Sequence, residues 1–357
     1  MTDGPETPAR PARSRRPATL GDVAREAGVH VSTASRALSS TSAFPIASAT
    51  RSRVTEAAQR LRYRPNAVAR GLKLADTRSL GLLSPSLRNP VLADIIHGAV
   101  ARAWERNLVV LLAEDTGDAA AHLAYERLVE EGRIEGLLVA SARLDDEMSE
   151  RLVADGIPCV FVNRRFVGSN RNVSMREEDA GKLAARHLLE RGHSHIVHVA
   201  GPTDLDTANR RTTGFVAELA AAGITPTITH ASYTEAAALE AARVLLGVSP
   251  RPSAMFVSNL NQAIGALAGI RISGAAAPGE VSLITCDDDP ILEHLEVPVT
   301  AIRMPLLELG RVAVDALLDQ IRGETPADRV IETEPVLVVR QSTARLSARD
   351  ASKVNSR

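Results

Sequence analysis

Aromatic side chains are scarce in this sequence: tryptophan, tyrosine and phenylalanine make up 3% of the 357 residues, although 45% of the chain is hydrophobic. The core therefore has to be built mainly from Ala, Leu, Val and Ile. No apolar run approaches the roughly 18–20 residues that a membrane span needs, so we expect no membrane partner. The N-terminus is rich in Arg and Pro and lacks an apolar segment, which speaks against a secretory signal.

Cysteine is also rare, because Cys159 and Cys286 are the two in the chain and they lie far apart without metal-like spacing. This fits a reducing cytoplasm and argues against a disulfide framework. The sequence has no GxSxG, no P-loop and no GxGxxG after a strand, so we expect no enzyme and no cofactor. The histidines of "GHSHIVH" are close together, but in a strand they would not all share one face, and no metal site is expected.

A net charge of −1 hides a strong asymmetry along the chain. Residues 1–75 contain thirteen basic and five acidic residues, a net charge of +8, which leaves −9 for the other 282 residues. A basic head on an acidic body indicates that the head meets a polyanion. The alternative is a basic disordered tail alone, yet nine of the thirteen basic residues fall from Arg25 onward, inside patterned sequence.

Three short helices are predicted in residues 19–64, after a Pro- and Arg-rich tail (1–18) that we expect to be disordered, as is the tail at 346–357. Thr19 and Asp22 form a variant capping box before the first helix, and Gly28 ends that helix. The second helix is "VSTASRAL", with an apolar side, and "ATRSRVTEAAQRLRY" is the third. The apolar positions of the three helices are Leu20, Val23, Ala24 and Ala27; Val31, Ala34, Ala37 and Leu38; Val54, Ala57, Ala58 and Leu61.

Two helices joined at a glycine match a helix-turn-helix, in which the second helix enters the major groove of DNA. The alternative is a generic three-helix core, and ten residues alone do not separate the two interpretations. Residues 65–76 continue as a basic, marginally stable helix, which suits a hinge that folds on DNA. An exposed Leu72 on such a hinge suits a minor-groove wedge.

From Ser79 onward, strand-like runs that we expect to be buried alternate with helical stretches: "SLGLLS", "LVVLLAE", "IEGLLVA", "PCVFVN", "HIVHVAG", "SAMFVSN" and "VSLITCD". This rhythm predicts a parallel sheet with helices on both faces. About 270 residues are too many for one comfortable core, so two α/β lobes are expected.

The order and spacing of "ATLGDVAREAGVHVSTASRAL", "YRPNAVARGLK", "IEGLLV", "ERGHSHIVHVAGP", "RRTTGF" and "VSLITCDDD" resemble the LacI/GalR family of transcription repressors, from about Thr19 to about Thr343. The resemblance implies an all-α helix-turn-helix head and a two-lobed α/β body of the periplasmic-binding-protein type, spanning 77–345. The first lobe would comprise 77–174 and 303–328, and the second 175–302 and 329–345.

The resemblance also implies DNA contacts. Val31 and Ser32 would choose operator bases, while Thr33, Ser35 and Arg36 would contact phosphates or bases. Leu72 would be pushed between central base pairs, with Lys73 following it into the minor groove. The full set of implied DNA-contact positions is Thr19, Leu20, His30, Val31, Ser32, Thr33, Ser35, Arg36, Tyr63, Asn66, Ala69, Leu72 and Lys73. His30 stands where the family has a serine cap, so we expect a frayed helix start or another capping partner.

In the body, the resemblance implies a small effector bound between the lobes. The implied effector-binding residues are Asn163, Arg164, Arg211, Tyr233, Asn259 and Asp287. Arg211 would hold a hydroxyl or carboxylate of the ligand, and Asp287 its hydroxyls. "NPVL" (89–92) replaces the common "NPFF", and Leu260 replaces a common aspartate, which argues against a standard sugar and for a modified sugar, another polyol or another metabolite.

Together with the basic head, the resemblance implies a repressor that binds double-stranded DNA at a pseudo-palindromic operator as a homodimer, with a tetramer as the alternative, in the cytoplasm on the nucleoid. A sugar-like effector between the lobes would control operator affinity. The alternative is a sugar-binding or enzymatic α/β protein with an incidental basic head. The two differ in whether one DNA sequence is preferred over random DNA.

Overall fold

A computed structural model describes residues 18–38, 46–61, 63 and 77–346. The chain separates into two compact units, Met1–Thr77 and Arg78–Arg357. The predicted N-terminal tail up to residue 17, the hinge up to residue 76 and the C-terminal tail from residue 347 lie outside the described residues. So do four of the implied DNA-contact positions, namely Asn66, Ala69, Leu72 and Lys73.

The described part of the head contains three helices, α1 (Leu20–Glu26), α2 (Val31–Leu38) and α3 (Ser48–Arg60). The capping box at the start of α1 is confirmed: the Thr19 hydroxyl accepts from the Asp22 N–H, and the Asp22 carboxylate accepts from the Thr19 N–H at 2.9 Å. Gly28 has a φ of +63°, the left-handed conformation that glycine adopts without strain at a helix end. Local sequence chemistry therefore sets both ends of α1.

The small core of the head is made of alanines and valines from all three helices. Its fully or nearly buried members are Val23, Ala24, Ala27, Ala34, Ala37, Val54, Ala57 and Ala58. Val31 shares the apolar side of α2 by helical spacing, yet it is 45% exposed. Val31 is the first residue of its helix, so helical spacing alone does not decide whether a neighbouring helix covers it.

The first lobe of the body begins as a βα alternation, and its order explains its parallel sheet. The elements are β1 (Ser79–Ser84), α4 (Pro90–Glu105), β2 (Val109–Glu114), α5 (Ala119–Glu130), β3 (Leu137–Val139), α6 (Glu147–Ala154), β4 (Cys159–Val162) and β5 (Asn172–Ser174).

The second lobe repeats the alternation and is followed by a return to the first. Its elements are α7 (Glu177–Glu190), β6 (Ile196–Ala200), α8 (Asp206–Ala221), β7 (Thr227–His230), α9 (Glu235–Leu246), β8 (Ala254–Val257), α10 (Leu260–Ile272), β9 (Ser282–Cys286), a 3-10 turn (Pro290–Glu293) and β10 (Thr300–Arg303). The chain ends with α11 (Leu306–Ile321), β11 (Arg329–Val330) and β12 (Val336–Val338).

Each lobe holds one six-stranded sheet, with the orders β11-β5-β4-β3-β1-β2 and β12-β10-β9-β8-β6-β7. All pairs are parallel except the antiparallel β10–β12 pair. The chain crosses between the sheets three times, after β5, after β10 and after β11. The second lobe resumes after Val330, two residues beyond the predicted boundary, because β11 pairs with β5 in the first sheet.

The expectation that "LVVLLAE" is a buried strand is also wrong. Its strand β2 lies at the edge of the first sheet, and Val109, Leu111 and Leu112 are exposed. An apolar run does not reveal whether the strand it forms lies at a sheet's centre or edge. None of the helices within the described ranges is long and apolar enough to cross a bilayer.

Candidate functional site

Helix α2 presents a polar surface to solvent. Val31, Ser32 and Arg36 are exposed, Thr33 and Ser35 are half-buried, and Ala34 and Ala37 pack into the core of the head, as Leu38 does in part. The residues that the family resemblance assigned to DNA therefore lie on the solvent side of α2. Of the other implied contacts, Thr19 and His30 are exposed, whereas Leu20 and Tyr63 pack partly against the core.

The histidine at the start of α2 supplies the missing serine cap. The Ser32 N–H donates to the His30 Nδ1 atom at 3.3 Å, and the Ser32 hydroxyl lies 2.9 Å from the same nitrogen. The His30 carbonyl accepts the first backbone bonds of the helix, from the Thr33 and Ala34 N–H groups. The start of α2 is therefore capped by a ring nitrogen and not frayed, and this cap needs Nδ1 without a proton.

Removing this cap is expected to loosen the start of α2. His30→Ala should cost roughly 1 kcal/mol of helix stability, as other N-cap deletions do, whereas His30→Ser should restore the cap. Hydrogen exchange of residues 31–38 in the full chain, followed by mass spectrometry, should be about five-fold faster in the alanine variant and near wild type in the serine variant. Equal exchange in both variants would show that the ring nitrogen does not cap the helix.

The exposed arginines of the head fall into two groups. Arg25 is paired with Asp22 at 3.1 Å, and Arg60 with Glu26 at 3.5 Å. Arg36, Arg51 and Arg53 form no ion pair with any residue in the described part of the chain. Unpaired, exposed guanidinium groups are available for phosphates, so these three arginines are the head's strongest candidates for backbone contacts.

A cleft between the two lobes of the body contains all six residues that the resemblance assigned to the effector. The first lobe supplies the start of α4 with its cap Asn89 and the end of β4, and the second lobe supplies α7, α8 and the ends of its strands. The free volume is about 30 Å³, room for one or two water molecules, whereas small-molecule sites are commonly ~300–1,000 Å³. A ligand of sugar size therefore requires the lobes to move apart.

Two of the cleft residues follow buried strands in an unusual backbone conformation. Asn163 follows β4 with a φ of +69°, and Asp287 follows β9 with a φ of +66°. The left-handed region is sparsely populated by non-glycine residues, though Asn and Asp tolerate it best. The same turn thus ends one strand in each lobe, and both turns bring a polar side chain to the cleft.

Arg211 on α8 forms the central ion pair of the cleft with Glu177, the first residue of α7. The Arg211 Nη2 and Nε atoms lie 2.7 and 3.0 Å from one Glu177 oxygen, and Nη1 donates to the Ser258 carbonyl. Both side chains are buried, and the pKa of Arg211 is held well above its usual value, because the neighbouring acidic groups outweigh the desolvation that would lower it. Within the described residues the other Glu177 oxygen, Oε1, has no hydrogen-bond partner.

The close approach of α7 and α8 depends on two glycines. A Cβ atom at Gly181 would overlap the Arg211 carbonyl, and one at Gly214 would overlap the Glu178 carbonyl. Both backbones are therefore in contact where the ion pair forms. This is a physical reason for the glycine of "RRTTGF", three residues after Arg211.

The remaining polar groups of the cleft differ in how burial and hydrogen bonding affect them. Burial raises the pKa of Asp287 to about 6, although Arg211 opposes this. Burial lowers the pKa of Arg164, and the Tyr233 hydroxyl is buried against Gly201 without a hydrogen-bond partner among the described residues. Asn259 caps α10, its Oδ1 accepting from the Gln262 N–H at 2.9 Å, so it has a structural role beside its place in the cleft.

The lobes also contact each other at the rim of the cleft. Arg143 in the first lobe pairs with Asp204 in the second, and the Leu144 N–H donates to the Asp204 carbonyl at 3.1 Å. Arg165, after β4, lies 2.9 Å from Asp206 at the start of α8. Any widening of the cleft has to break or stretch these pairs.

Two histidines of "GHSHIVH" and two aspartates of the run at 287–289 are engaged by other protein groups. His193 bonds to Ser253 and the Ala344 carbonyl, and His198 stacks on Phe256 inside the second lobe. Asp289 caps the 3-10 turn, and Asp288 pairs with Arg303 at 2.7 Å. No group of three or more potential metal ligands occurs among the residues the structure describes.

Sequence reasoning missed Glu177 and Thr207, which also line the cleft. Glu177 heads the acidic run "EED" at the start of α7, where acids ordinarily complement the helix dipole. Its pairing with Arg211 depends on the packing of α7 against α8, which no local pattern reveals. A signal was present in hindsight, because a buried arginine needs a buried acid nearby.

Family models match both parts of the chain. Residues 19–66 match the bacterial regulatory proteins of the lacI family, and residues 185–343 match a periplasmic binding protein-like domain. The HTH-type transcriptional repressor PurR of Aliivibrio fischeri (strain MJ11) is 32% identical over 332 residues, 91% of this chain and 98% of that protein. PurR of Photobacterium profundum is 30% identical over 335 residues, 92% and 100% of the two chains.

Solved structures agree with this similarity. The lac repressor dimer bound to operator and the anti-inducer ONPF matches with a TM-score of 0.83 and 27% identity, covering 92% of this chain and 100% of that one. The transcriptional regulator CelR in complex with cellobiose matches with a TM-score of 0.70 and 29% identity, covering 91% and 99% of the two chains.

Proposed function

The chain belongs to the lacI family of bacterial regulatory proteins, DNA-binding transcriptional repressors that bind small-molecule effectors, and from that membership we propose how this chain divides the work. Helix α2 reads the operator, and the cleft residues bind a polyhydroxylated effector that controls operator affinity. The observation that carries the proposal is the convergence of all six implied effector residues, from both lobes, on one cleft. Cellobiose in CelR supports a saccharide-like class.

The head supports the DNA half of the proposal through its surface. Val31 and Ser32 are exposed at the start of α2, where helix-turn-helix proteins contact base edges. Arg36 is exposed on the same helix. We assign base selection to Val31 and Ser32, and phosphate contacts to Arg36, Arg51 and Arg53. Asn66, Ala69, Leu72 and Lys73 stay in the proposal on the family resemblance.

The phosphate assignment predicts different salt effects for two arginines of the head. Each phosphate contact adds about 0.9 to the slope of log K against log salt. Arg36→Gln should therefore lower the magnitude of that slope by about 1 on a random-sequence duplex. Arg25→Gln is the matched control and should change it far less, because Asp22 already neutralises Arg25. Fluorescence anisotropy between 50 and 200 mM salt measures both, and equal changes would remove the assignment.

The body supports the effector half through its connectivity. Three crossings join the lobes, and the rim pairs Arg143–Asp204 and Arg165–Asp206 bridge them, so a ligand that widens the cleft changes the angle between the lobes. A ligand with different affinities for the two angles shifts their populations. That shift is the proposed link to the hinge and the head.

We further propose that the working form is a homodimer on a pseudo-palindromic operator, acting in the cytoplasm. The first lobe exposes several large apolar side chains: Val100 and Trp104 on α4, and Val109, Leu111 and Leu112 on β2, with Trp104 at 76% exposure. Large exposed apolar patches commonly mark protein interfaces. The lac repressor dimer supports the same assembly.

A further inference from the structure

The charges of the cleft are unevenly matched. The cleft is lined by two arginines, Arg164 and Arg211, and by two carboxylic acids, Glu177 and Asp287. Arg211 is satisfied by Glu177 and by the Ser258 carbonyl. Arg164 follows Asn163 at the end of β4, and its side chain forms no hydrogen bond or ion pair with any residue in the described ranges.

The isolation of Arg164 is unusual because the residue is only 9% exposed. An arginine stays charged in proteins, and a buried charge without a partner is costly. The two acids whose charges act most on Arg164 are already engaged: Asp204 pairs with Arg143, and Asp115 lies 2.7 Å from His122. Arg164 therefore has an unmet requirement for an anion, and the free space beside it is the cleft.

The other open groups of the cleft suit hydroxyls. Glu177 Oε1 is fully buried and accepts nothing, and the Tyr233 hydroxyl is likewise unpartnered among the described residues. Asp287 adds a carboxylate on the same lobe. Carboxylate oxygens accept hydrogen bonds from ligand hydroxyls, as they do in many polar sites.

We propose that the effector is a sugar acid, a polyhydroxylated carboxylate with one negative charge, whose carboxylate pairs with Arg164 while its hydroxyls donate to Glu177 and Asp287. This rests on the proposed effector function of the cleft. A guanidinium fork matches a carboxylate in a bidentate fashion. A sugar phosphate fits less well, because its second negative charge would face both carboxylates of the cleft.

The test compares matched neutral and acidic sugars on the full-length protein. Melting temperatures are measured with glucose, galactose, their hexuronates, gluconate, galactonate and glucose 6-phosphate, all at the same ionic strength. At least one carboxylate should raise the melting temperature by several degrees, since a ligand that binds the native state stabilises it. The neutral sugar with the same hydroxyl configuration should raise the melting temperature much less.

The variant Arg164→Gln ties the effect to this side chain. It should weaken binding of the active carboxylate roughly 100-fold, as the loss of one partner of a buried charge pair does, and so remove most of the preference for the carboxylate over its neutral counterpart. The proposal would be overturned if neutral and acidic sugars raised the melting temperature equally, if only the sugar phosphate raised it, or if no carboxylate did. It would also be overturned if Arg164→Gln responded to the active carboxylate as strongly as the wild type.

A ligand-free measurement tests the same claim without knowledge of the effector. If Arg164 has no partner until an anion binds, Arg164→Gln should melt at or above the wild-type temperature, because the substitution removes an unpaired buried charge. A large loss of stability would instead show that Arg164 is a structural anchor and would overturn the proposal. The proposed function fails separately, if the full chain prefers no DNA sequence over random DNA.

Discussion

Arg211→Met is expected to lower the melting temperature of the body by roughly 10 °C, whereas the double variant Glu177→Met/Arg211→Met recovers most of the loss. Removing one partner of a buried ion pair typically costs about 3–5 kcal/mol, because the other charge is left uncompensated. In a domain of this size, each kcal/mol shifts the melting temperature by about 2–4 °C. Glu177 is fully buried and has Arg211 as its partner, so the single variant leaves a buried carboxylate without its ion-pair partner.

The double variant removes both charges, and well-packed apolar replacements of a buried pair are often neutral. The measurement is a double-mutant cycle by differential scanning calorimetry on the full chain, with Glu177→Met as the second single variant. The expected coupling energy is several kcal/mol. Additive losses would mean that the two side chains act independently. This result also changes how Arg211 is interpreted, because a failed effector response in Arg211 variants would reflect lost stability as well as a lost ligand contact.

Gly214→Ala is expected to destabilise the body by about 3 kcal/mol or more, since overpacking at a rigid contact costs ~1–3 kcal/mol and here the obstacle is backbone. The new methyl group would overlap the Glu178 carbonyl, so α7 and α8 would have to separate. Separation would also stretch the Arg211–Glu177 pair, which lies on the same two helices.

Gly247→Ala provides the matched control for this prediction. Gly247 has an ordinary φ of −79° at the end of α9, and a Cβ there would lie 3.4 Å or more from its neighbours. The control should therefore be neutral or slightly stabilising, because alanine loses less backbone entropy than glycine. Thermal unfolding of both variants decides the matter, and equal stability would show that the two helices can separate at little cost.

Local sequence patterns were enough to predict the ends of the first helix of the head. The capping box of Thr19 and Asp22 and the left-handed Gly28 need only a few neighbouring residues, and both were predicted as the structure has them. Val31 has an apolar position by helical spacing yet is 45% exposed, because helical periodicity identifies an apolar position and not the element that covers it. The capping of α2 by His30 was not predicted, since a ring nitrogen depends on a particular rotamer.

In the body, the alternation of strands and helices predicted two parallel sheets, but β2 and β11 show what pattern cannot supply. β2 is apolar yet lies at an edge, and β11 is two residues long and belongs to the first sheet through its pairing with β5. The six cleft residues came from the family resemblance and line one cavity. Glu177 could not be predicted from the sequence, because its partner Arg211 lies 34 positions away on α8. The close packing of α7 against α8 depends on Gly181 and Gly214.

The central claim is that a ligand in the cleft controls the affinity of the head for DNA. The direct measurement is the dissociation constant of the full chain for a selected operator, with and without a compound that raises its melting temperature. The account predicts a change of about 5–150-fold, and an equal change in ligand affinity when operator is present. Tight ligand binding with an unchanged operator dissociation constant would contradict it.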